Sequence, residues 1–292
     1  MTIFEFINNS KMDNLNLDRV LIPMDKNELE SIFDETSRKV FEYFLRKSFV
    51  SQPEKLPNQK DLPIQIPKEH IEQWVCQSIG AIPVGAGSYA VDVISKNSEW
   101  GADIKMLSCK TETNSGKLTN SDSGETSLAQ KFDDGNFGDG NTLDDLFRNK
   151  EFDIIWDNWK GILLNKYKKV NDDFNVSEIY YFFILRANLD YHLCGMKVDL
   201  ENLNKTEINV ERSTNDSVWI KNYIDDNFGH VKVYKAKKRF ELRLKPKYWV
   251  ENDRVITFTT KFEQLEIDIR KLIESDELHL HISNNLIPFL VG

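Results

Sequence analysis

Between Asn27 and Val50 the apolar residues Leu29, Ile32, Phe33, Val40, Phe41, Tyr43, Phe44 and Leu45 make a wide stripe between charged positions. That spacing predicts one helix with a broad buried face. Pro53, Pro57, Pro63 and Pro67 exclude regular structure over Ser51–Pro67. Pro67 suits the start of a second helix, predicted over Lys68–Ile79, with Ile71, Trp74, Val75 and Ile79 inward and Gly80 as its stop. Ser88–Ser95 and Ala102–Cys109 are β-rich and flank the turn-forming Lys96–Gly101, which predicts a hairpin. Thr111–Asn141 is polar and glycine-rich and reads as one long loop. Helical spacing returns over Leu143–Val170, with Trp156, Trp159, Ile162, Leu163 and Tyr167 inward. Ile179–Arg186 is almost continuously apolar, as a strand buried on both faces would be, and Tyr191–Val198 is its natural partner. Val231–Leu244 alternates as strands do, Val255–Thr260 is a short strand, and Phe262–Ile273 has helical spacing. Helices and strands interleave, so the expected class is α/β with a central mixed sheet flanked by helices. No repeat or linker divides residues 1–292, which read as one α/β domain with insertions and a core over about 67–200.

Composition narrows the class. With 40% apolar and 29% charged residues, the chain can bury a core and is not predicted to be disordered. The longest apolar run, Tyr180–Leu185, has the length of a strand and not of a membrane span. The N-terminus lacks a cationic start followed by an apolar core. Cys76, Cys109 and Cys194 are isolated and odd in number, so the expected setting is cytoplasmic and reduced. The net charge of −9 argues against a generic polyanion binder. His230–Trp249 departs from it, holding eight Lys and Arg against the single acid Glu241. Such a local field can hold a phosphate backbone, because charges act over roughly 8 Å at physiological salt. Lys235, Lys237, Lys238, Arg239 and Arg243 are the candidate DNA contacts in this segment.

The candidate chemistry lies in the predicted hairpin. Asp103 and Lys105 are two apart on one strand and leave the same face, while Ile104 and Met106 leave the other. Asp92, between Val91 and Val93, can approach Asp103 across the ladder. Two close carboxylates repel unless a cation or a proton intervenes. Mg²⁺ is the natural occupant, since it takes one or two carboxylates and completes its shell with water and phosphate. Lys105 would then orient or deprotonate a water, or stabilise charge growing on phosphate.

The array Val91-Asp92, ten residues, Asp103-Ile104-Lys105 resembles the PD-(D/E)xK nuclease superfamily over about Pro67–Cys109, with Val91 where the motif has proline. No other lysine of the chain has an acid two residues before it. The resemblance implies a restriction-endonuclease-like core. It implies metal ligation by Asp92, Asp103 and the Ile104 backbone carbonyl, and service of the water nucleophile by Lys105. A further acid from the preceding helix would be Glu72, or Glu69 one turn earlier. The implied activity is Mg²⁺-dependent hydrolysis of double-stranded DNA, most specifically that of a type II restriction endonuclease. A palindromic target would then require a homodimer. The alternatives are a structure-specific repair or recombination nuclease, and a non-catalytic DNA-binding module in which the three residues form a salt-bridged hairpin.

Other motifs lead elsewhere. Gly85-Ala-Gly87-Ser-Tyr-Ala90 has a helix before it and a strand after it, the reverse of a dinucleotide-binding turn. Asp133–Gly140 is acidic but lacks the ligand and glycine positions of an EF-hand. His279 and His281 would share a strand face, with no third zinc ligand nearby in sequence.

Overall fold

The computed structural model describes residues 18–67, 70–85, 89–113, 115–122, 125–130, 132 and 141–291. The first described elements are β1 (Leu21–Pro23), α1 (Lys26–Ile32) and α2 (Glu35–Val50). The single helix expected over Asn27–Val50 is thus two. Asp34 breaks it, because its carboxylate accepts the backbone N–H of Ser37 at 2.7 Å and caps α2. After the proline-rich connector comes α3 (Ile71–Ile79), which Gly80 closes at φ 61°.

β2 (Ile82–Pro83), β3 (Val93–Ile94) and β4 (Trp100–Ser108) follow. The expected hairpin exists, but its first arm is ladder only at Val93–Ile94. The expected long loop contains a strand, β5 (Glu125–Gln130). The helix expected over Leu143–Val170 is also two, α4 (Leu143–Asn149) and α5 (Phe152–Phe174), divided at Lys150 with φ 58°. β6 (Glu178–Ala187) and β7 (Asp190–Val198) pair antiparallel along their whole length. Then come β8 (Glu207–Ile208), β9 (Ser217–Lys221), β10 (Gly229–Tyr234), β11 (Arg239–Leu244), α6 (Pro246–Glu251), β12 (Ile256–Thr259) and α7 (Ile269–Glu274). Phe262–Ile267 is not helical as expected; its backbone bonds both sides of Lys55, Lys55 N–H to Leu265 O at 3.0 Å and Ile267 N–H to Lys55 O at 2.8 Å. The chain finishes with α8 (Leu278–His281) and α9 (Ile287–Val291). The histidine pair is therefore helical and shares no strand face. His281 is buried, with Nε2 bonded to Glu54 at 2.8 Å.

These strands form two sheets among the described residues. One runs β1-β7-β6-β4-β3-β2, with β12 also on the outer edge of β7. It is mixed, since β4 and β6 are parallel over nine residues and the other pairs are antiparallel. A parallel pair needs a long crossover, and here the connection carries β5, α4 and α5. The second sheet is antiparallel, in the order β5-β11-β10-β9-β8.

The first sheet is buried on both faces. α1, α2 and α3 cover one with Leu29, Phe33, Phe41, Leu45, Trp74 and Val75, packed on Ala102, Ile104, Phe182 and Ile184. The other face shares its core with α4, α5 and the second sheet, through residues such as Phe183, Trp159, Tyr167, Val231 and Phe240. The first face is packed tightly enough to require glycine at position 195 in β7. A Cβ there would meet Met24 Sδ at 2.7 Å, Leu29 Cδ2 at 3.0 Å and Phe182 Cδ1 at 3.2 Å. Gly195→Ala is expected to cost about 1–3 kcal/mol by overpacking, read from the urea midpoint. An unchanged midpoint would contradict this tight packing. No helix of the described residues is long and apolar enough to cross a membrane.

Candidate active site

The site grows out of the two faces of β4. Ala102, Ile104 and Met106 point into the core beneath α1–α3. Asp103, Lys105 and Leu107 therefore point to the opposite face, where Leu107 joins the core shared with α5 and the second sheet. Asp92 lies one step beyond the paired residues Val93 and Ala102, which brings it alongside Asp103. Its backbone is held on both sides, donating to Ala102 O at 2.8 Å and accepting from Val84 N–H at 2.8 Å. Its side chain is pinned too, since Oδ2 accepts the Ile104 backbone N–H at 2.7 Å.

Lys105 closes the group. Its Nζ is 2.7 Å from Asp103 Oδ1 and 3.7 Å from Asp92 Oδ2. The structure thus brings Asp92, Asp103 and Lys105 together. Glu72, on α3, is exposed at the rim. Its carboxyl is pushed up by burial and by the charge of Asp92, with Lys105 opposing, so it lies within the field of the group. Glu69 lies outside the described residues.

Desolvation decides the electrostatics. Burial raises the Asp103 carboxyl to about 7; Lys105 opposes this and Asp92 adds to it. For Lys105 burial works against the charged form, but Asp103, Asp92 and Glu72 outweigh it and hold the ammonium protonated. Tyr167 of α5 and Tyr181 of β6 are buried behind Asp103, joined by a short hydroxyl–hydroxyl hydrogen bond.

One further cation, not among the sequence candidates, feels the charge of this group. Lys166, on α5, donates from Nζ to the Leu128 carbonyl of β5 at 3.4 Å. Burial and the charge of Lys105 lower its affinity for a proton, while Asp103 raises it. The available signal was its adjacency to Tyr167 on the inward side of α5; the contact with Leu128 depends on a strand the sequence did not reveal.

Among the described residues no three His, Cys, Asp or Glu side chains are grouped as a metal cage. Two neighbouring carboxylates, one raised to about 7 by burial, are the kind of ligand an oxygen-seeking cation takes when water and substrate complete its shell. They do not suit a structural site closed by protein groups alone.

The basic segment is less uniform than its composition. Lys235 is 3.6 Å from Asp144 and its Nζ lies 5.9 Å from the Phe147 ring centroid. Lys237 lies 6.0 Å over Tyr234, and Lys238 occupies the β10–β11 turn at φ 44°. Arg239 donates from Nε to the carboxylate of Glu241, which is fully buried. Arg243 stands across the ladder from His230.

Comparison with protein-family models, with curated proteins and with solved structures finds no match to this chain.

Proposed function

We propose that this chain is a Mg²⁺-dependent endonuclease of double-stranded DNA with a restriction-endonuclease-like core, and most specifically a type II restriction enzyme. The observation that carries this reading is the convergence of Asp92 and Asp103 on the Lys105 ammonium. In that reading the residues divide the work. Asp92 and Asp103 hold the cation, with the Ile104 carbonyl as a further ligand, and Glu72 acts from the rim. The Ile104 N–H fixes Asp92 in position. Lys105 orients the attacking water and takes up negative charge as it develops. Mg²⁺ supplies Lewis-acid stabilisation of the scissile phosphate. In-line attack would leave a 5′-phosphate and a 3′-hydroxyl. Lys235, Lys237 and Lys238 near the β10–β11 turn are the candidate backbone contacts, and a palindromic target calls for a homodimer.

The test is incubation of supercoiled plasmid with the protein and Mg²⁺, and in parallel with Ca²⁺. Discrete fragments are expected with Mg²⁺ and none with Ca²⁺. Cutting confined to branches, nicks or ends would move the reading to a structure-specific repair nuclease. Plasmid left intact across a wide panel of templates, with binding indifferent to Mg²⁺, would replace it with a non-catalytic binding module.

A further inference from the structure

Arg186 sits near the end of β6. Phe182 and Ile184 of that strand face α1–α3, and the two-residue period puts Arg186 on the same side. Asp103 and Lys105 leave the opposite face, so Arg186 is no part of their group. An arginine carries five N–H donors. Arg186 is half-buried, and among the described residues its side chain makes one hydrogen bond, from Nη2 to the Ile64 carbonyl at 2.8 Å. No carboxylate among the described residues pairs with it. Arg38, Arg148 and Arg270, by contrast, bind Glu30, Asp145 and Glu274 at 3.3, 2.7 and 2.8 Å.

Arg186 lines a cleft of about 740 Å³ between the proline-rich connector, the β6–β7 turn and Phe262–Gln264. Small-molecule sites span roughly 300–1,000 Å³. Lys55, in the same lining, is neutralised by Asp61 at 2.7 Å and Glu266 at 3.3 Å, and Glu263 is exposed to water. Gln264 adds an orphaned donor. Its Oε1 accepts the Leu62 N–H at 2.7 Å, which fixes Nε2 as the donating end, and Nε2 is buried with no partner among the described residues. Ile64, Leu189 and Phe262 give the cleft an apolar wall.

We infer that this cleft binds a small organic anion, a carboxylate or a phosphate ester with an apolar body, whose oxygens accept from the Arg186 guanidinium. A planar guanidinium meets either head group through paired N–H donors. The bond to Ile64 holds that fork in one orientation. Partial burial strengthens its pull on an anion, because less water screens it. The inference does not rest on the nuclease reading.

The experiment is a footprint on the unaltered protein. Phenylglyoxal, which modifies arginine, is applied in chloride and, at equal ionic strength, in benzoate or phenyl phosphate. Mass spectrometry reads each arginine, with the exposed Arg148 and Arg270 as internal controls. Arg186 is expected to react in chloride and to be protected by the probes, while the controls are unchanged. Protection by one probe alone identifies the head group as carboxylate or phosphate. Acetate and inorganic phosphate, which lack the apolar body, should protect only at higher concentration. Calorimetric titration of the protecting probe then compares wild type, Arg186→Lys and Arg186→Gln, each checked for native circular dichroism. Arg186→Gln should bind about tenfold more weakly or worse, and Arg186→Lys should lose less, since it keeps the charge without the fork. The footprint stands even if Arg186→Gln loses its hold on Ile64 and unfolds. Arg186 left unprotected by all four anions, or equal affinity in wild type and Arg186→Gln, would overturn the inference. Protection by duplex DNA alone would also overturn it, and would make Arg186 a backbone contact instead.

Discussion

Asp103→Asn is expected to lower Mg²⁺-dependent cleavage by about 10³-fold or more while making the metal-free protein more stable at pH 8. The amide keeps the shape and can still accept from Lys105, so the fold has no reason to fail. It cannot supply the negative charge that a divalent ion needs. The stability gain follows from the native carboxyl titrating at about 7, above its ordinary value of 3.8. Between those pH values the native chain holds a proton that the unfolded chain has released, so wild-type stability falls as pH rises through that window. Above about 7 both states are ionised and the penalty is complete. Asparagine has no such titration, and Lys105 stays charged throughout. The advantage of Asp103→Asn should therefore grow from pH 4 to 7 and then level off. Every pH unit across that window is worth about 1.4 kcal/mol at most, so a gain of about 1 kcal/mol or more at pH 8 is expected after the lost ion pair is discounted. Urea denaturation at pH 5 and pH 8 with chelator present reads it. Wild-type cleavage in the variant would remove Asp103 from the chemistry. A stability difference independent of pH would show that its charge is carried without penalty.

The second large effect concerns Trp159, which lies fully buried on α5 between Phe132 and Phe240, at ring-centroid distances of 5.9 and 6.5 Å. Together with Trp156, 5.2 Å from Phe240, it fastens α5 to the second sheet. Trp159→Ala is expected to cost about 3–5 kcal/mol, enough to threaten folding altogether. Trp159→Phe provides the control. The indole N–H of Trp159 has no hydrogen-bond partner among the described residues, so deleting it forfeits none there, and phenylalanine retains much of the ring. A loss of about 1–2 kcal/mol is expected for it. Chemical denaturation of both variants decides the matter. Equal losses would mean that the ring itself is not what α5 uses to grip the sheet.

The site was legible because its positions obey the two-residue period of a strand. Asp103 and Lys105 on one face and Ile104 on the other follow from the pleat alone, and β4 shows that alternation. β6 was legible because a strand buried on both faces has no polar positions to confuse it with a surface element. β5 was not. Its sequence, Glu-Thr-Ser-Leu-Ala-Gln, neither alternates nor favours strands, and it is extended because β11 offers it an edge. Lys166 could not be assigned before β5 was known, since Leu128 is its partner. The break between α1 and α2 did have a local signal, Asp34 three residues before Ser37, which the strong apolar stripe on either side outweighed. Over Phe262–Ile267 the apolar spacing resembled that of a helix, but Lys55, far back in the chain, claims the backbone instead.

The pairing of β5 with β11 sets an order of folding. The hairpin that brings Asp92 and Asp103 together joins segments close in the chain, whereas the edge that receives β5 lies far later in it. Contacts between such distant segments form late. Until they do, the Leu128 carbonyl has no fixed place to meet Lys166, and the acids are in position before the second sheet that packs beside them.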